Sequence, residues 1–299
     1  MIWILLVLLY GLFKGLREIA KKKAMTKNSV MEVLVAYTIL SFVMVIPEAK
    51  AAMGMPGRFY IYVALKSLVI FIAWMCSFRS LKHLPVSLYG ILDLSRVLFA
   101  TFLAVTVIHE TLNFNQIMGM LLVCCGLMLL KFKPAFLYSL LEKGNSQSPT
   151  DSKTQIQSDG KYKLYVFCAF VSCLLNAVSG LMDKILMKDI NSSQLQFWYM
   201  LFLVIYYVIY MLVTRTPMSK TVLKNGWIWL MALIFVIGDK ALFVANANPD
   251  SRVTIMTLIK QSGCVITIIG GRLVFKEKDT TYRLVCAAVV IAGIVISVL

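Results

Sequence analysis

The sequence predicts an all-α integral membrane protein, ten transmembrane helices built as two inverted five-helix repeats. Three observations carry that prediction. Hydrophobic residues make up 60% of the 299-residue chain and the mean hydropathy is +0.82, well above the roughly 45–50% apolar content of soluble domains. Ten runs of mostly apolar residues follow one another, each near the roughly 20 residues a helix needs to cross about 30 Å of hydrocarbon. The two halves of the chain also share landmarks at a fixed offset.

In order, the runs lie at 2–20, 31–47, 59–79, 85–108, 114–132, 162–186, 195–213, 226–247, 252–274 and 282–299. Helices are required, because unpaired backbone groups cannot face lipid and no run alternates as a barrel strand would. The first run carries Lys14 and Arg17 and has neither a basic leader nor a small-residue cleavage site, which makes it a helix rather than a signal peptide. Connections are short and turn-like: Asn28-Ser29, Gly54-Met55-Pro56-Gly57, His83-Leu84-Pro85 and Asn248-Pro249-Asp250. Asn28-Ser29-Val30 and Asn191-Ser192-Ser193 read as capped helix starts. The exception is Glu142 to Lys161, a Ser- and Gln-rich linker that separates a first repeat, 1–141, from a second, 162–299. All seven cysteines fall inside apolar runs and read as packing residues.

Lysine and arginine number 30 against 14 acidic residues, a net charge of +16. The excess lies between apolar runs, the pattern anionic leaflets and the positive-inside rule produce, and it argues against a nucleic-acid partner. Odd-numbered connections hold 19 basic residues and even-numbered ones 4. That bias places the odd connections and the linker in the cytoplasm and both termini outside.

Val107-Ile108-His109-Glu110, followed by Gly126, recurs as Val274-Phe275-Lys276-Glu277, followed by Gly293, at an offset of 167. The same offset sets Asp93 on Lys260 and Ser95 on Ser262. Gly15-Leu16-Arg17-Glu18 is echoed by Gly180-Leu181-Met182-Asp183 at an offset of 165. A five-span repeat crosses the membrane an odd number of times, so the second copy enters from the opposite side. Inverted repeats enclosing a midplane site are a recurrent plan of secondary transporters.

On these landmarks, chiefly the hydrophobic-x-Glu step that ends the fourth helix of each half, the chain resembles the drug/metabolite transporter superfamily and its ten-span EamA-type carriers. The resemblance covers nearly the whole chain. It implies a carrier of small metabolites with a cavity lined chiefly by the third, fourth, eighth and ninth helices. It also implies cytoplasmic termini, opposite to the charge bias. Lys14 and Arg17 in the first helix depart from the common pattern.

A charge at a helix centre costs about 2.5–3.5 kcal/mol on insertion and asks for a partner or a function. Arg17, Glu18, Asp183 and Lys184 sit near span ends and read as snorkelling. The deep charges are Lys14, Lys66, Asp93, Arg96, Asp239, Lys240 and Lys260. Asp93 and Arg96, three apart, share a helix face. The candidate substrate-binding set is Lys66, Asp93, Arg96, Asp239, Lys240 and Lys260, with no further carboxylate expected at their depth. Three readings stand: an anionic group held by Lys66, Lys260 and Arg96; internal pairs that support packing; and proton coupling through Asp93 or Asp239 with a cationic or zwitterionic substrate.

Gly11, Gly15, Gly263 and Gly270-Gly271 allow close helix approach. Trp74, Trp198, Trp227, Trp229, Tyr60, Tyr62, Tyr199 and Tyr206 read as an interfacial belt, with Trp74 and Tyr89 as alternative cavity residues. His83 and His109 lie far apart and give no metal site. Paired carboxylates for a metal and a lipid-linked diphosphate are absent apart from Glu277 and Asp279, which weighs against an integral-membrane enzyme. No nucleotide-binding loop occurs, so no cofactor is expected. The reading is a secondary transporter of a small organic metabolite, a carboxylate-bearing one among the candidates, working by alternating access in the cell membrane, a bacterial plasma membrane. Its alternative is a proton-coupled exporter of cationic or aromatic compounds. A coupling proton or ion and a monomer or homodimer complete the expected partners.

Overall fold

The structure, a computed structural model, describes residues 2–132, 159–216, 218–277 and 280–298. It is all-helical over them. The main helices are α1 (Ile2–Ala24), α2 (Val30–Ala52), α3 (Gly57–His83), α4 (Val86–Ile108), α5 (Phe114–Phe132), α6 (Asp159–Leu186), α7 (Ser192–Thr214), α8 (Gly226–Ala247), α9 (Val253–Phe275) and α10 (Thr280–Val298). Most of the polar linker lies outside the described residues. Seven helices, α2, α3, α4, α6, α7, α8 and α9, are long and apolar enough to span a bilayer by length and composition. The apolar stretches of α5 and α10 are shorter, Phe114–Gly126 and Tyr282–Gly293. Helix α1 interrupts its apolar sequence with Lys14, Arg17, Glu18 and Lys21, all buried.

Local chemistry sets the starts. The Ser29 hydroxyl accepts from the Glu32 N–H at 3.2 Å while the Glu32 carboxylate accepts from the Ser29 N–H at 2.8 Å, a reciprocal cap on α2. Asn191 and Gln194 repeat the arrangement on α7. Pro56 and Pro85 stand immediately before α3 and α4. Outward-facing leucines of α1, among them Leu5, Leu12 and Leu16, are exposed, as a lipid-facing stripe requires.

Helix α4 and helix α9 share their irregularities at the 167-residue offset. Helix α4 tightens to a 3-10 turn at Asp93–Ser95 before continuing from Arg96; α9 breaks at Gln261 and Ser262 and resumes at Gly263. Both end on a left-handed residue, His109 at φ 59° and Lys276 at φ 52°, an uncommon conformation for a side chain other than glycine. Each left-handed turn delivers a glutamate to the start of the other helix. Glu110 accepts from the Val253 N–H at 2.9 Å and from the Thr254 hydroxyl at 2.7 Å. Glu277 accepts from the Val86 N–H at 2.6 Å and from the Ser87 hydroxyl. Each carboxylate thus satisfies orphan donors at a helix start and sits at the positive end of its dipole.

Helices α1 and α9 approach closely enough that a methyl group on Gly11 would meet the Ser262 hydroxyl and one on Gly263 the Gly11 carbonyl. The glycines expected to serve packing do so. Helix α5 pairs with α10 through Gly126 and Gly293 in the same way.

Candidate functional site

A cavity of about 600 Å³ of empty space, its opening included, lies between α1, α3, α4, α6, α7, α8 and α9. The resemblance implied four lining helices; α1, α6 and α7 join them. Most of the residues that line it are buried. Its walls are aromatic, with Tyr10, Trp74, Tyr199, Phe235 and Phe243 facing inward. Trp74 and Tyr199 are 7% and 2% exposed, which removes them from the interfacial belt. Trp227 and Trp229 are 42% and 47% exposed.

Six charged side chains also line the cavity: Arg17, Lys66, Arg96, Lys260, Asp183 and Asp239. Of the expected set, Lys66, Arg96, Asp239 and Lys260 therefore come together. Asp93 stands directly behind them, holding Arg96 at 2.7 Å, the helix-face pair its spacing predicted. Asp93 also pairs with Lys14. Lys240 is not brought to the cavity: it turns away from Asp239 to pair with Glu48 and to bond the Ser193 hydroxyl at 2.8 Å.

All four residues assigned to the span ends, Arg17, Glu18, Asp183 and Lys184, prove to be buried, and two of them line the cavity. Asp183 pairs with Lys66 at 3.0 Å and is the carboxylate the sequence seemed to lack at that depth. Arg17 is 8% exposed, lies over the Phe235 ring at 5.0 Å, and among the described residues leaves its Nε without a hydrogen-bond partner. Lys184 does not snorkel either, since it donates to the Asn246 and Asn248 carbonyls at 3.1 and 2.9 Å and closes the end of α8.

The pairing leaves an uneven remainder. Lys66 is committed to Asp183 and lies 3.7 Å from the Tyr199 ring centroid; Arg96 is committed to Asp93. Among the described residues, Arg17 and Lys260 have no carboxylate within ion-pair distance, and Asp239 has no cation within it. Asp239 lies in the field of Arg17, Lys66 and Lys260. Four cations against two carboxylates leave the lining with an excess of two positive charges. Two of the four cations stand at the helix interruptions, Arg96 at one and Lys260 at the other.

Among the described residues no group of three or more histidine, cysteine or carboxylate side chains is placed to hold a metal. His83 stacks on Tyr165 at 4.1 Å, and His109 occupies the left-handed turn.

A solved crystal structure shares the fold at a TM-score of 0.64 over 98% of both chains, with 12% sequence identity. No curated protein matches the sequence. The profile of the EamA-like transporter family matches residues 1–132 and 163–299, one copy in each half. The chain belongs to the EamA-like transporter family, multi-pass membrane proteins that carry small molecules.

Proposed function

We propose that this transporter carries a small organic anion, a carboxylate- or phosphate-bearing metabolite with an apolar or aromatic body, by alternating access about the α4 and α9 breaks. The observation that carries the reading is the uncommitted pair Arg17 and Lys260 in a buried, aromatic-walled cavity. An unpaired charge in such a place is costly, and an anionic group entering between two cations offsets that cost. Guanidinium and ammonium supply complementary recognition, a planar fork and a point charge. Lys66 and Arg96, expected from the sequence to bind the anion directly, instead supply a positive background whose own partners are Asp183 and Asp93.

Asp239 supports a second reading. A carboxylate without an ion pair can accept a coupling proton or a substrate ammonium, which suits a proton-coupled exporter of cationic or aromatic compounds. Counterflow in proteoliposomes separates the two. Preloaded acidic metabolites should accelerate uptake of a labelled counterpart, and Lys260→Met should reduce the exchange at least about tenfold, the loss of roughly one ionic contact. Exchange confined to cations, abolished by Asp239→Asn and indifferent to Lys260→Met, would overturn the anionic reading in favour of the second.

A further inference from the structure

We propose that the Lys14 ammonium is a tethered cation occupying a monovalent-cation site at the junction of the two helix breaks, and that transport by this chain consequently needs no sodium ion. Lys14 reaches from α1 to both interruptions at once. It pairs with Asp93 in the α4 break and donates to the Gln261 side-chain carbonyl in the α9 break at 2.9 Å. The same spot opens into a small second cavity, distinct from the aromatic one, whose lining includes Glu18, Asp93, Gln261 and Thr267. Glu18 is 5% exposed, and among the described residues its Oε2 has no hydrogen-bond partner.

The donor set is what identifies the site. The Asp93 carboxylate and the Gln261 amide oxygen meet at the Lys14 ammonium, with the Glu18 carboxylate and the Thr267 hydroxyl lining the same small cavity; oxygens of these kinds are the ligands of hard cations. An ammonium carries one positive charge and three donors, and this one satisfies the Asp93 and Gln261 oxygens without an ion. Positive charges nearby, Arg96 on Asp93 and Lys21 on Glu18 at 2.6 Å, hold the local balance near that of a single bound cation. Carriers with discontinuous helices commonly coordinate a coupling ion with the unwound segments; here the charge that joins the segments is covalently part of α1. The arrangement is no by-product of the repeat, because the position equivalent to Lys14 at the 165-residue offset is Ser179, a residue of the other cavity.

The test is thermal unfolding of the purified full chain in detergent, in sodium chloride and in choline chloride at equal ionic strength. Wild type should melt at the same temperature in both salts. Lys14→Ala, which empties the site and leaves its oxygens, should melt lower in choline and recover by about 5 °C as sodium saturates. Adding Asp93→Asn to it should erase the sodium response. A Lys14→Ala protein that is recovered folded only from sodium-containing buffer is the same result in stronger form. The proposal is overturned if Lys14→Ala behaves alike in both salts, if it fails to fold in either, or if sodium stabilises the wild type. No substrate enters this experiment, so its failure leaves the anionic reading of Arg17 and Lys260 untouched.

Discussion

Helices α4 and α9 are the same element used twice, and they agree at their ends while differing at their middles. Val86 matches Val253, Ser87 matches Thr254, and Glu110 matches Glu277, all at one offset, and each glutamate closes the start of the opposite helix. At the break, Asp93 is held by two cations whereas its counterpart Lys260 has no ion partner among the described residues. The difference separates scaffold from site. Reciprocal caps hold the two repeats against each other and serve either copy equally, whereas at the breaks one copy has a neutralised carboxylate behind the cavity wall and the other an ammonium without an ion pair in the wall itself.

The comparison breaks first at the breaks themselves. Asp93→Ala strands Lys14 and Arg96 as buried charges and should cost about 3–5 kcal/mol in unfolding experiments. Lys260→Met, at the equivalent place, removes a charge that has no partner and should leave stability unchanged or raise it. Equal losses would mean that Lys260 is structural and that the two middles do not differ.

The caps should differ less. Glu277 also faces Arg283 at 3.2 Å and Lys22 at 3.9 Å, whereas Glu110 takes its contacts from Val253 and Thr254. Replacing either with alanine orphans two backbone donors, for roughly 1–3 kcal/mol, and Glu277→Ala should lie at the upper end. Next come the equivalent glycines of the first helix in each half. A methyl group on Gly15 would press on the Gly263 carbonyl and Ile266, while one on Gly180 meets open space in the cavity. Gly15→Ala should therefore cost about 1–3 kcal/mol. Gly180→Ala should be neutral or slightly stabilising by helix propensity, yet weaken substrate binding. The smallest effect belongs to Lys240→Met: its pair with Glu48 is about a third exposed at each end, so the change should fall within about 1 kcal/mol and leave binding intact.

Much of this architecture was legible in the sequence because its landmarks cannot drift. A glutamate that must reach a helix start, a glycine that must admit a neighbouring backbone and a break near mid-span all keep their spacing, and the halves could be aligned on them. The Asp93–Arg96 pair followed from helical geometry alone. Arg17 and Asp183 were missed because they lie within about one turn of the run ends at 20 and 186, where a charge can reach the interface, and only packing shows that neighbouring helices cover those turns. A signal was present. Tyr10, Lys14, Arg17 and Lys21 recur at helical spacing and form one polar stripe along α1, which marks an inward face rather than a span end. Lys240 was assigned to the cavity with its sequence neighbour Asp239, but its partners Glu48 and Ser193 stand on other helices and draw it away. Which of Trp74, Trp198 and Tyr199 face the interior depends on helix rotation, and rotation follows from packing between distant helices.

The central claim is that Arg17 and Lys260 wait for an anionic group. Its most direct test is the melting temperature of the purified protein against a panel of acidic, zwitterionic and cationic metabolites, measured for wild type and for Lys260→Ala. A ligand at 100 times its dissociation constant stabilises by about 2.7 kcal/mol, a shift such an experiment resolves. The account predicts that acidic compounds raise the melting temperature of wild type and that Lys260→Ala loses the effect. Stabilisation by cations or uncharged aromatics alone, undiminished in Lys260→Ala, would contradict it.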